Sequence, residues 1–161
     1  RDSRLIGLLY EASQAGVPIE IMARGICCLR PGVIGLSETI TVRSIIGRFL
    51  EHGRIYVFAN AGEFLSDKNI VMISSADLMP RNLRRRVECF MRLENPTIRK
   101  QVLHQIMVAL LRDEKNAWYL QPDGSYVHPQ TDETSFSCHE YFMSNPSLSG
   151  LGSLAATQDN V

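Results

Sequence analysis

"NIVMISSADLMPRNLRRRVE", residues 69–88, decides the fold. It opens with Ile70 to Ile73, a run of β-branched and apolar side chains that reads as a strand. Nearly unbroken apolar character suits a strand covered on both faces. The run ends in Ser74-Ser75, Asp77 follows, and then come Pro80, Arg81 and Asn82. Hydroxyls and arginines gathered at a strand end can hold a phosphate, and Asp77 is placed to partner a histidine or an arginine. The plain alternative is a solvated basic turn, and Arg84-Arg85-Arg86 reads as exposed.

Working outward, "RIYVFAN" (54–60) reads as a second strand of the same central kind, and "AGEFLSDK" (61–68) between them can make a hairpin. "RRVECFMRL" (85–93) is a further strand candidate. Asn95 caps a helix with Pro96 in its first turn. The spacing carries that helix to about Arg112, with Ile98, Val102, Ile106, Ala109 and Leu110 inward. "AWYLQPDGSYVHP" (117–129) reads as a hairpin turning at Pro122-Asp123-Gly124.

Toward the amino terminus, "RLIGLLYEASQA" (4–15) places Leu5, Leu8, Leu9 and Ala12 on one helical face. Gly16 and Pro18 stop it, and "PIEIMA" (18–23) reads as a strand. "RGICCLRPGVIGLSE" (24–38) is a loop. "SIIGRFLEH" (44–52) reads as a short apolar helix after Ser44. Helix, tight turn and strand in alternation predict an α/β fold, a mixed sheet flanked by helices. Residues 130–161 turn rich in Ser, Thr, Gly and Asn. They read as a mostly flexible tail with a short helix around His139 to Met143.

A length of 161 residues suggests one domain with a tail, and 45% hydrophobic residues suffice for a core. Zero formal net charge argues against a DNA- or RNA-binding chain. The charge is uneven, however: from Arg81 to Lys100 seven basic residues face Glu88 and Glu94 alone, a local anion-binding surface. Cys27, Cys28, Cys89 and Cys138 form no CxxC pair and read as free thiols of a reducing cytoplasm. No apolar run has the length of a membrane helix, and no signal peptide is visible. The chain starts at Arg1 and reads as a piece of a longer protein.

Three clusters carry candidate chemistry. In "ARGICCLRPG" (23–32), Arg24 lies just past the carboxyl end of a strand, where α/β sheets place ligand groups. In "LEHGR" (50–54), His52 precedes Arg54 by two residues at the start of a strand. Histidine is matched to proton transfer near neutral pH, and arginine to clamping phosphate. The third cluster is Ser74, Ser75, Asp77 and Arg81. Arg48, beside His52 in sequence, has no reading.

His-x-Arg before a strand, then a strand ending Ser-Ser-x-Asp, resembles the phospholipase D superfamily signature. Arg54 stands for its lysine, Ser74 for its glycine and Asp77 for its asparagine, and the aspartate expected after Arg54 has no counterpart. "YEASQAGV" (10–17), "RGICCLRPG" (24–32), "VRSIIGRFLEH" (42–52) and above all "SSADLMPRNLRRRVE" (74–88) resemble the carboxyl-terminal part of bacterial polyphosphate kinase. Arg84 stands where that family commonly has an acidic residue. The resemblance covers roughly residues 4 to 129.

The resemblance implies a second phospholipase-D-like catalytic domain over residues 1–129, followed by the tail. It implies reversible transfer of the terminal phosphate of ATP to inorganic polyphosphate, through a phosphohistidine in an upstream domain that this chain lacks. His52 matches a proton donor or acceptor, and Arg24 an arginine on the nucleotide's phosphates. Arg54, Ser74, Ser75, Asp77 and Arg81 join them as substrate- and ATP-binding candidates from residue chemistry. Mg2+ is expected with ATP or ADP, without ligands in this chain. The implied partners are the upstream domains and further copies of the enzyme. The implied location is cytoplasmic, with room for peripheral membrane association. The competing readings are a phospholipase-D-like phosphodiesterase and a non-catalytic phosphate- or polyphosphate-binding module.

Overall fold

The structure is a computed structural model that describes residues 2–25 and 27–145. In chain order its elements are α1 (Ser3–Gln14), β1 (Ile19–Met22), β2 (Ile40–Ile45), β3 (Ile55–Phe58), β4 (Ile70–Ser74), α2 (Pro80–Arg85), β5 (Phe90–Arg92), α3 (Pro96–Gln101), a π-helical segment (Val102–Met107), α4 (Val108–Arg112), β6 (Ala117–Leu120), β7 (Tyr126–Val127) and α5 (Cys138–Ser144). They form two compact units. The first takes residues up to His52, Leu78–Pro80 and Glu114–Phe136. The second takes Gly53–Asp77, Arg81–Asp113 and the chain from Ser137.

The first unit is built on a mixed sheet in the order β1-β2-β6-β7. β1 and β2 run parallel, with Met22 beside Arg43, while β6 and β7 are antiparallel additions. Leu29, Ile40, Val42 and Leu120 form a core against which Ile6, Leu9 and Tyr10 of α1 pack. This corrects the expected face of α1. Leu8 is exposed, and Ile6 and Tyr10 turn inward instead. Two polar ties fix that rotation. The Tyr10 hydroxyl accepts the Arg30 amide at 2.9 Å, and Ser13 Oγ lies 2.8 Å from Thr39 Oγ1.

The expected helix over "SIIGRFLEH" does not form. β2 runs through Ser44 to Ile45, and an isolated bridge joins Ile46 to Leu50. The physical reason lies in "ITVRSI", whose β-branched residues fill a strand paired on both sides and buried at five of six positions. The Pro122-Asp123-Gly124 turn forms as expected. Gly124 adopts φ +92°, which an L side chain would resist, and Asp123 Oδ1 accepts both the amide and the hydroxyl of Ser125.

The second unit holds an antiparallel sheet in the order β3-β4-β5. β4 is central, and its Val71 is fully buried. β3 was expected to be central too, but it is an edge of this sheet, with Phe58 exposed. The β3–β4 hairpin is held by Asn69, whose Nδ2 donates to Ala59 O, Glu63 O and Ser66 Oγ. Asn95 caps α3 by accepting from the Thr97 and Ile98 amides, a cap that contributes about 1 kcal/mol.

Helical structure continues to Arg112, with Val102, Ala109 and Leu110 buried as expected, but the inner face differs at other positions. Ile98 is exposed and Leu103 is buried. The π-helical turn over Val102–Met107 widens the spiral and shifts which side chains point inward. The short helix expected near His139 is α5, with Cys138 and His139 buried and the Cys138 amide donating to Asp113 Oδ2 at 2.7 Å. Residues 146–161 of the expected tail lie outside the described residues. The four cysteines are free thiols. No helix among the described residues is long and apolar enough to cross a membrane.

Candidate active site

In the first unit, parallel pairing of β1 and β2 brings their carboxyl ends to one edge of the sheet. The Ala23 amide donates to Arg43 O at 2.8 Å, which extends the ladder to the residue before Arg24. Arg24 therefore leaves the sheet at the end of β1, and the segment 46–52 leaves it at the end of β2, its first amide held by Asn116 O at 2.9 Å. Arg24 and His52 are both exposed. A cation thus emerges at a parallel strand end, the place where open α/β sheets bind ligands, and the imidazole lies on the segment that follows the neighbouring strand.

Sequence reasoning missed Arg43. Its side chain is buried in β2, donates from Nη2 to Glu20 Oε2 at 2.8 Å and lies 5.0 Å over the Tyr119 ring. An arginine inside an otherwise β-branched strand was the available signal, but its partners are far away in sequence. Arg48 is exposed, and nothing in the structure explains it.

In the second unit, antiparallel pairing of β3 with β4 sets Arg54 beside Ser74, and the Ser74 amide donates to Arg54 O at 2.9 Å. Arg54 Nε donates to Asp77 Oδ1 at 2.8 Å, with both side chains about three-quarters buried. The Tyr56 hydroxyl donates to Ala76 O at 3.0 Å. Burial, and then the Asp77 charge, raise the Tyr56 pKa above 10, so the phenol stays protonated. Ser74 Oγ donates to Cys89 O and accepts from the Ala76 amide. Ser75 Oγ donates to Glu88 Oε2 at 2.5 Å, and Asn82 Nδ2 donates to Glu88 Oε1 at 2.6 Å.

Those two hydrogen bonds, with Arg86 and Arg54 adding charge, hold Glu88 below its ordinary range. Glu88 was the second residue that sequence reasoning missed; its only signal was to be one of two acidic residues in a basic run. Arg81 and the three arginines after it are exposed. The structure thus ties Arg54, Ser74, Ser75 and Asp77 into one network of the second unit. Arg24, His52 and Arg81 are left at surfaces.

The family model described as polyphosphate kinase C-terminal domain 2 matches residues 1–138. The chain belongs to the polyphosphate kinase C-terminal domain family. A polyphosphate kinase of Erythrobacter litoralis is 58% identical over 151 residues, which are 94% of this chain and 21% of that protein. One from Synechocystis is 51% identical over 143 residues, 88% of this chain and 19% of the relative. A crystal structure of polyphosphate kinase from Porphyromonas gingivalis superposes with a TM-score of 0.81 at 34% identity, covering 91% of this chain and 22% of that one.

The chain therefore spans about a fifth of the length of the polyphosphate kinases it matches. Its fold is the α/β, phospholipase-D-like one that the sequence resemblance implies. Mg2+, implied by the same resemblance, finds no fitting donor set: no group of three or more His, Cys, Asp or Glu that could hold a metal occurs among the described residues.

Proposed function

We propose that this chain is the second phospholipase-D-like domain of a polyphosphate kinase, over residues 1–129, with residues 130–161 as its carboxyl-terminal tail. The complete enzyme reversibly transfers the terminal phosphate of ATP to inorganic polyphosphate, through a phosphohistidine carried by an upstream domain of the same polypeptide. The observation that carries the reading is the exposure of Arg24 and His52 beyond two adjacent parallel strand ends, in a chain whose relatives are named polyphosphate kinase. The enzyme works in the cytoplasm, with room for peripheral membrane association, and assembles with further copies of itself.

Phosphoryl transfer passes through a loose transition state with charge spread over the phosphate oxygens, so catalysis rests on positioning and charge stabilisation. Arg24 supplies a permanent cation to the nucleotide's phosphates. His52 gives a proton to the departing oxygen and retrieves it in the reverse direction. Arg81 contacts the polyanionic substrate. The sequence expectation puts Arg54, Ser74, Ser75 and Asp77 on the phosphates as well; their observed hydrogen bonds support a holding role for the strand end instead.

The test is turnover in the complete polypeptide that carries this chain. His52→Ala is expected to lower kcat by about 10²–10⁴-fold with the affinity for ATP nearly kept. Preserved turnover with weakened ATP binding would reduce the site to a phosphate-binding module. A covalent phosphohistidine formed at His52 on a phosphodiester substrate would replace the kinase with a phosphodiesterase.

A further inference from the structure

The chain from Ser75 to Cys89 closes on itself at its two ends, both of which belong to the second unit. The Ser75 amide donates to Cys89 O at 3.1 Å, and the Cys89 amide donates to Ser75 Oγ at 3.1 Å. Inside that closure Glu88 makes a cross-tie. One carboxylate oxygen takes the Ser75 hydroxyl and the other takes the Asn82 amide. Asn82 is buried, and its Oδ1 has no hydrogen-bond partner among the described residues, so the carboxylate is the anchor seen for this amide. Turning the amide over would set oxygen against oxygen, so the assignment is the only favourable one. Between the two ends of the tie stand Arg81, Arg84, Arg85 and Arg86, all exposed.

We propose that Glu88 is a positioning residue, a latch between the end of β4 and α2 that holds the Arg81 segment in the shape that receives the polyphosphate chain. The inference rests on the functional reading above and adds a residue to it. Its force comes from a conflict of signs. Glu88 is the only acidic residue between Asp77 and Glu94. By charge alone it weakens the local attraction for a polyanion, and removing it should tighten binding. As a latch it orders the arginines, and removing it should loosen binding, because ordering would then be taken from the binding free energy.

The experiment measures kcat and the KM for polyphosphate and for ATP in the complete polypeptide. Wild type is compared with Glu88→Ala, Glu88→Gln and Ser75→Ala. The latch predicts a polyphosphate KM raised about fivefold or more in Glu88→Ala, with kcat and the ATP KM little changed. Glu88→Gln keeps one acceptor oxygen and should fall between Glu88→Ala and wild type. Ser75→Ala should shift the polyphosphate KM in the same direction and less. A polyphosphate KM that is unchanged or lowered in Glu88→Ala overturns the latch, and so does an equal loss in every parameter. Should Glu88→Ala fail to fold, Ser75→Ala, which removes one hydroxyl, decides by the same signs. A wild-type enzyme that made no polyphosphate would overturn the functional reading alone. The latch would then be decided by the direction in which Glu88→Ala shifts a direct titration with polyphosphate.

Discussion

The exposed edge in the first unit and the strand end in the second carry similar residue types and treat them in opposite ways. Arg24 leaves β1 into solvent, with no hydrogen bond or ion pair seen among the described residues. Arg54 immediately precedes β3 and is tied to Asp77 at 2.8 Å. An arginine at a strand end is thus not a phosphate ligand by position alone. What separates the two is the partner that the chain itself provides. Antiparallel pairing of β3 and β4 brings the Asp77 carboxylate back beside Arg54. At the end of β1, parallel pairing brings only another strand end.

The largest effect that would break this contrast belongs to Arg24. Its replacement by Ala in the complete enzyme should raise the KM for ATP by about ten- to a hundredfold, the loss of a charge-assisted hydrogen bond, with the fold intact. A matching loss from Arg54→Ala, measured as ATP affinity rather than stability, would erase the distinction between the two arginines.

The second effect sharpens the contrast from the other side. The Arg54–Asp77 pair is partly buried, so its coupling should lie near the upper limit of surface pairs, about 1 kcal/mol. A double-mutant cycle of Arg54→Ala and Asp77→Ala, followed by denaturant unfolding of the chain, reads that coupling directly. Zero coupling would mean that the network is incidental and that Asp77 is available for other work.

How much of this was legible in the sequence depends on the range of the interactions. Asn95 with Pro96, and Asp123 with Gly124, announce themselves within four residues, and both features form as expected. The strand "NIVMIS" was legible because its β-branched run admits few alternatives. β2 was not, because "SIIGRFLEH" continues its apolar character past the true end of the strand at Ile45. The face of α1 was off because Tyr10 and Ser13 are fixed by Arg30 and Thr39, partners twenty or more residues away. The same holds in the site. That Arg24 lies just past a strand end was legible, and the structure puts it there. Arg43 and Glu88 needed Glu20, Tyr119, Ser75 and Asn82, which only the fold brings to them.

The smallest expected effect is a pH dependence, and its sign is fixed. Glu88 titrates below its ordinary value of 4.5 because Ser75 and Asn82 donate to its charged form. A depressed carboxylate contributes stability that is fully present above its unfolded value and is lost as pH falls through the folded one. The latch is therefore constant through the neutral range and weakens only in acid. Asp123 and Asp132 are depressed in the same way by their own turns, so acid unfolding of the wild type does not isolate Glu88. The difference between wild type and Glu88→Gln does. The amide does not titrate, so the wild type's advantage in unfolding midpoint should hold above about pH 5 and shrink toward zero as pH falls below it. An advantage that stayed constant into acid would mean that the carboxylate's charge contributes nothing to the tie, and that shape alone distinguishes this strand end from the open edge at Arg24.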